Sequence, residues 1–364
     1  MTELERIQEL EQELVSTKYN KRTQHHIGLL KAKLAHIKDE YGKKSSSKAR
    51  QQGFSVKRSG DATAIIVGFP SVGKSTLLNA LTNAKSQVAP YAFTTLTCIP
   101  GLMEYKHAKI QILDVPGIVE GAATGRGRGK EVLACAQSAD LVIMLLDVFS
   151  PNQLEVIKKE VYDAGLRINQ KPADVKITKD ARGGIKIGTT VRLTNIDKQT
   201  IEGILKEFRL NNCAVIIRES IDADRLIDAI EGNKKYVPAI VVLNKIDMVD
   251  EEQLNELKQR LKPDVCVSAE KQINIQELKN LIFKKLEFIR VFCKEVGKKA
   301  DIDVPLIIKE GSTLKDVCLK LHREFANKFR FARIWGKSVK YGGMAVRNLS
   351  HKLKDEDIVE IRLK

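Results

Sequence analysis

The chain lacks any apolar run near the roughly 18 residues a membrane helix needs; the longest, LVIMLL at 141–146, is far shorter. Its charged N-terminus holds no apolar signal segment, so the expected setting is the cytosol, without membrane contact. Cysteine is sparse. Cys98, Cys135, Cys213, Cys266, Cys293 and Cys318 form no C-x-x-C pair and show no zinc-type histidine spacing, which excludes a disulfide scaffold and a zinc module and leaves reduced thiols. There is no internal repeat and no low-complexity tract, so a repeat array is excluded. Acidic side chains are outnumbered: 46 Asp and Glu against 62 Lys and Arg give +16. That balance favours a polyanionic partner, because each phosphate contact releases counterions.

What is present suffices for two or three domains: 364 residues, 43% of them hydrophobic, can bury a sizeable core. Residues 1–42 read as two amphipathic helices, with Leu4, Ile7, Leu10 and Leu14 on one stripe and Ile27, Leu30, Leu34 and Ile37 on the other. Such a hairpin can close on itself, on the next domain or on a partner. The stretch 43–58, KKSSSKARQQGFSVKR, has no acidic residue and reads as a basic linker, so that the N-terminal region spans 1–60. From 61 the pattern turns to short apolar strands between helices: ATAIIVG, KIQILDV, ADLVIMLLDV, AIVVLNKID and DVCVSAE. These suit a buried parallel sheet, an α/β domain over 61–165 and 237–295. Residues 166–236 interrupt it with strand and helix patterns too long for a loop, and read as an inserted α+β subdomain. The stretch 276–292, QELKNLIFKKLEFIRVF, is expected to be a helix closing the main domain, and 300–364 a small α+β module of β-grasp type.

The chemistry lies in four motifs. GFPSVGKST (Gly68, Phe69, Pro70, Ser71, Val72, Gly73, Lys74, Ser75, Thr76) fits G-x-x-x-x-G-K-[ST] between an apolar strand and a helix. Its glycines let backbone N–H groups close round phosphates at a helix N-terminus; Lys74 reaches the β- and γ-phosphates and Ser75 the Mg²⁺. In YAFTTLT, Phe93, Thr94 and Thr95 lie along the nucleotide, with either threonine able to complete the Mg²⁺ shell. In DVPG, Asp114 meets Mg²⁺ through water and the Gly117 amide meets the γ-phosphate. In NKID, Asp247 accepts two hydrogen bonds from guanine that adenine cannot offer, Lys245 lies along the base and Asn244 braces neighbouring loops. SAE (Ser268, Ala269, Glu270) supplies a backbone contact to the guanine carbonyl.

GFPSVGKST, FTTLT, DVPGIVEGAATGRGRG and NKID, with a split GTPase domain and a β-grasp module, resemble the developmentally regulated GTP-binding proteins of the Obg superfamily. The resemblance covers almost the whole chain. It implies a P-loop GTPase domain, an insert similar to the second domain of ribosomal protein S5 at 166–236, and a TGS domain at 300–364. It selects Thr95 over Thr94 for Mg²⁺, and names Lys74, Thr95 and Gly117 as the catalytic set. It also implies slow GTP hydrolysis, association with ribosomes, ribosomal RNA or tRNA in translation, and a dedicated protein partner for a monomeric chain. Relatives without NKxD prefer ATP, and NKID argues against that branch. K⁺ is a second cofactor candidate, held in some relatives by a phosphate-loop asparagine where this chain has Ser71.

Ile118 stands where other GTPases carry a water-orienting glutamine, so something else must supplement Mg²⁺. Arg126, Arg128 and Lys130 in GAATGRGRGK are candidates, brought to the γ-phosphate when RNA or a partner orders the segment; the competing reading is that the arginines touch only phosphate backbone or solvent. In the C-terminal module, Lys320, Arg323, Lys328, Arg330, Arg333 and Lys337 interleave with Phe329, Phe331 and Trp335 as an RNA-stacking surface would, although aromatics in a small α+β module more often fill the core. The competing reading is a GTP-dependent assembly or signalling switch whose output is a protein complex.

Overall fold

The computed structural model describes residues 3–18, 20, 23–47, 60–82, 99–114 and 138–363. In chain order the elements begin with α1 (Glu3–Ser16), α2 (Gln24–Ser47), β1 (Ala62–Val67), α3 (Lys74–Leu81), β2 (Ile99–Tyr105) and β3 (Ala108–Asp114). Next come β4 (Leu141–Asp147), α4 (Gln153–Asp163), β5 (Leu166–Ile168), β6 (Val175–Lys179), β7 (Ile185–Thr189), α5 (Lys198–Glu207), β8 (Cys213–Ile217), α6 (Ala223–Glu231) and β9 (Lys235–Val237). Then β10 (Ala239–Asn244), α7 (Glu251–Leu261), β11 (Val265–Cys266), α8 (Ile275–Lys285), β12 (Phe288–Cys293) and β13 (Leu306–Lys309) follow. The chain closes with α9 (Leu314–Leu321), α10 (Phe325–Lys328), β14 (Phe329–Trp335), β15 (Met344–Val346) and β16 (Asp357–Leu363). Two compact units emerge, one of Met1–Gly53 with Gln170–Tyr236, the other of Phe54–Asn169 with Val237–Lys364.

The larger unit is built on a six-stranded sheet in the order β11-β10-β4-β1-β3-β2, parallel except at the β2 edge. Strands β1 and β4 are buried along their whole length, which their unbroken apolar runs require, because helices cover both faces. Ala64, Ile66, Leu141, Ile143 and Leu145 pack with Leu77 and Leu81 of α3 and Leu278 and Ile282 of α8. Ile65, Val67, Val142, Met144 and Leu146 pack on the opposite face with Leu154, Ile157 and Val161 of α4. Each fully buried Leu or Ile of these layers contributes about 1.5–3 kcal/mol. The parallel order places the C-terminal ends of β1, β4 and β10 side by side, and that edge carries the candidate site.

The stretch 276–292 is not one helix. It is α8 followed by β12, with Glu287 between them in the left-handed region at φ 52°. Ile289 and Val291 point into the C-terminal core, so the alternation Phe-Ile-Arg-Val is a half-buried strand and the apolar count alone misleads. β12 joins a five-stranded sheet, β13-β12-β16-β14-β15, covered by α9. Phe288 and Ile307 extend the core of the six-stranded sheet, and Lys320 on α9 pairs with Asp61 at 2.9 Å.

In the smaller unit a three-stranded sheet, β6-β8-β7, turns Val175, Ile177, Ile187, Val215 and Ile217 towards α5 and α6. α2 closes the other side of those helices. A Cβ on Gly28 would lie 2.7 Å from Thr200 Cγ2, and one on Gly203 would lie 2.7 Å from Leu29, so two glycines set how closely α2 and α5 cross. The hairpin thus closes on the insert, while α1 is tied to α2 by His26–Glu13 and Lys38–Glu11 contacts and leaves Val15 86% exposed. α2 continues through Ser47, so the basic stretch starts within a helix. On the sheet's outer face Lys176, Thr178, Lys186, Gly188 and Ile216 are exposed. No acidic residue occupies these outward strand positions.

Candidate functional site

β1 delivers the loop Gly68–Gly73, and α3 begins at Lys74. Two residues make the tight turn possible: Ser71 at φ 65° and Gly73 at φ 93°, the latter so close to Asn244 that a Cβ would sit 2.5 Å from its Nδ2. The Lys74 ammonium lies across the loop, donating to the carbonyls of Gly68 at 3.0 Å and Phe69 at 2.8 Å. Val72 is buried, Phe69 packs beside the core, and Pro70, Ser75 and Thr76 are exposed. A tight loop with its cation at a helix start is an arrangement that can receive a phosphate.

β10 delivers Asn244, Lys245 and Asp247. Asn244, 2% exposed, donates to Val72 O at 2.9 Å and accepts from Ala269 N at 3.0 Å, so one amide joins the phosphate loop, β10 and the SAE turn. Lys245, in the left-handed region at φ 63°, donates to Ser71 O at 2.7 Å and to Asp147 Oδ2 at 3.2 Å. The Ser268 hydroxyl and, at 3.4 Å, the Lys271 ammonium hold the Asp247 carboxyl below its usual range. It is therefore ionised at neutral pH, an acceptor able to meet two donors. Ala269 is buried and Glu270 exposed.

For a metal, Ser75 Oγ lies 3.2 Å from Asp114 Oδ2 at the end of β3. Asp114 is 7% exposed and its Oδ1 has no hydrogen-bond partner among the described residues. Burial pushes its carboxyl up, against the opposing pull of Lys74 and the Ser75 hydroxyl. An orphaned anionic oxygen beside a hydroxyl suits a hard divalent cation such as Mg²⁺, which binds through one or two protein oxygens, water and phosphate. Phe93, Thr94, Thr95, Gly117, Ile118, Arg126, Arg128 and Lys130 lie outside the described residues.

Asp147 carries no motif and is absent from the sequence reading. Its only signal is a carboxylate ending the all-apolar run LVIMLL.

The C-terminal candidates divide. Lys320 is committed to Asp61 and the Ile307 carbonyl, Lys328 to Glu324 at 2.6 Å and Lys337 to Glu356 at 3.5 Å. Arg323, Arg330 and Arg333 have no ion-pair partner among the described residues, and Arg330 and Arg333 are exposed on β14. Phe329 fills the core, Phe331 is half-buried, and Trp335 packs against Gly343 beneath the Lys294 ammonium, 4.4 Å from its ring.

Compared with known proteins, residues 63–179 match the family described as 50S ribosome-binding GTPase. Residues 182–288 match the C-terminal region of the MMR_HSR1 domain, and 289–363 the TGS domain. An uncharacterized GTP-binding protein of Methanocaldococcus jannaschii is 52% identical over 364 residues, covering 99% of this chain and 93% of its own. Developmentally-regulated GTP-binding protein 2 of Bos taurus is 41% identical over 361 residues, 98% of each chain. Among solved structures, that of the Schizosaccharomyces pombe YchF GTPase aligns at a TM-score of 0.45 and 13% identity, covering 84% of this chain and 99% of that one.

Proposed function

The chain belongs to the developmentally regulated GTP-binding protein family, and from that premise we propose that it hydrolyses GTP to GDP and phosphate with Mg²⁺, slowly alone and faster on the ribosome. The observation that carries the reading is the Asn244 bridge. It fixes the phosphate loop and the guanine-reading turn as one receptor whose ends match a guanine base and a polyphosphate.

In this reading Asp247 accepts the N1–H and exocyclic amino group of guanine, and the stem of Lys245 forms the floor under the base. The amides of Gly68–Gly73 hold the phosphates. Lys74 would leave the loop carbonyls for the β- and γ-phosphate oxygens and neutralise charge there as water attacks the γ-phosphorus in line; the bridging oxygen keeps the electron pair and leaves with GDP, and the water proton passes to the released phosphate. Ser75 and Asp114 would hold Mg²⁺, which would supply charge neutralisation to the polyphosphate. Thr95 and Gly117, by their motifs, would complete the metal and γ-phosphate contacts. With Ile118 in place of glutamine, positioning of water falls to a group brought by RNA, a partner or the cations Arg126, Arg128 and Lys130.

Ribosome association is supported by the +16 charge, by the lysines on the open face of the β6-β8-β7 sheet and by exposed Arg330 and Arg333. Hydrolysis by the full chain, measured alone, with K⁺ against Na⁺ and with purified ribosomes, tests the proposal. Slow turnover alone and at least about tenfold stimulation by ribosomes, lost with added salt, is the expected result. Turnover indifferent to ribosomes, with cosedimentation indifferent to nucleotide, would move the reading to a switch acting through a protein partner.

A further inference from the structure

Asp147 ends β4, the strand between the one that delivers the phosphate loop and the one that delivers the guanine reader. It sits in register with Asn244. Its Oδ2 lies 3.2 Å from the Lys245 ammonium, which at the same time donates to Ser71 O at 2.7 Å. The Phe149 ring stands 5.8 Å from that ammonium and is 62% exposed beside it. Asp147 itself is only 7% exposed, and its Oδ1 is buried with no hydrogen-bond partner among the described residues.

A buried carboxylate with one oxygen unpaired is costly for a fold, and an apolar side chain at this strand end would suit the core better. Such a residue is explained by what it does to a neighbour. A lysine has many rotamers, and ordering one when a ligand arrives weakens binding. Here the far end of Lys245 is pinned before any nucleotide arrives, by a carboxylate on one side and a loop carbonyl on the other, so its stem is tethered at both ends.

We propose that Asp147 is a positioning residue for guanine nucleotides: it holds Lys245 between β4 and the phosphate loop, so that the stem is a ready floor for the base. This rests on the GTP-binding reading above. Asp147 touches no reacting atom, so it acts on affinity and not on the chemical step. Because the base is common to both nucleotides, GTP and GDP are affected alike.

The test is a double-mutant cycle in the full chain, with mant-GDP and mant-GTP affinities, turnover at saturating GTP, and the thermal midpoint of nucleotide-free protein. Asp147→Ala is expected to weaken both nucleotides about tenfold, the worth of one charge-assisted hydrogen bond, with saturated turnover within about twofold of wild type. In a Lys245→Ala background it is expected to do nothing further. The nucleotide-free midpoint should be unchanged or higher. An equal tenfold loss in the Lys245→Ala background, unaltered affinity, or a loss confined to turnover overturns the proposal. If Asp147→Ala does not fold, the isosteric Asp147→Asn serves in the same cycle: several-fold weakening in the wild-type background alone supports the role, and equal or no weakening in both overturns it. Failure of the wild-type chain to bind mant-GDP would instead sink the GTP-binding reading.

Discussion

The two ends of this chemistry are built on opposite plans. At the candidate nucleotide site nearly every side chain is already bonded: Lys74 to two loop carbonyls, Asn244 to the Val72 carbonyl and the Ala269 amide, Lys245 to the Ser71 carbonyl and the Asp147 carboxylate, Asp247 to the Ser268 hydroxyl. On the outer face of the β6-β8-β7 sheet, Lys176 and Lys186 stand exposed with no ion-pair partner among the described residues. The first plan settles geometry in advance and so selects one small ligand sharply. The second leaves charge mobile and hydrated, which suits a long polyanion met in many registers.

The contrast is broken most severely at Asp247. Asp247→Asn replaces an acceptor pair by an acceptor and a donor, which matches the N1–H and C2 carbonyl of xanthine. GTP affinity should fall about 100-fold and XTP affinity rise, read by competition against mant-GDP. Because Ser268 holds the wild-type carboxyl below its ordinary range, the ionised acceptor is present above that range and is lost only as pH falls through the lowered value. The ratio of GDP to IDP affinity, in which the shared diphosphate and Asp114 cancel, should therefore be flat from about pH 7.5 to pH 5, and loss of that preference within the window would contradict this state of Asp247.

Next in size is Asn244→Ala, which orphans the Val72 carbonyl and the Ala269 amide together. About 2 kcal/mol of stability should go with a comparable loss of nucleotide affinity, measured by urea unfolding and titration. Smaller, and of the opposite character, is Lys176→Ala with Lys186→Ala. Intrinsic GTP turnover should be unchanged, while the slope of log affinity for ribosomes against log salt drops by roughly 1 to 2. An unchanged slope would remove this face from the interface. Smallest is Lys320→Ala, whose pairing with Asp61 is partly exposed; about 0–1 kcal/mol is expected, a shift of a few degrees at most in the thermal midpoint.

How legible each part was in the sequence follows the range of its contacts. The phosphate loop and NKID are short, and much of what they need is written in adjacent residues: Gly73 where φ is positive, lysine and serine at a helix start, though the left-handed Ser71 and Lys245 carry no such mark. The all-apolar runs of β1 and β4 announce strands covered on both faces. Asp147 was illegible because its meaning lies in strand order: only when β4 comes between β1 and β10 does its carboxylate meet a lysine 98 residues away. The closure of α2 on α5 depends likewise on two distant glycines. The reading of 276–292 as one helix failed for a local reason, since Leu278, Ile282, Phe283 and Leu286 fit a helical face and the strand pattern begins only at Phe288.

That closure has a consequence for synthesis. His25 of α2 meets Thr200 of α5 across 175 residues of sequence. At 5–20 residues per second, α2 leaves the ribosome on the order of 10–30 seconds before its cover exists. Through that interval Ile27, Leu30 and Ala32, all buried in the finished protein, face water beside a nascent chain whose six-stranded sheet is itself incomplete. The hairpin is thus made well before the insert that satisfies it, and the nascent chain depends through that wait on whatever shields a short apolar stripe.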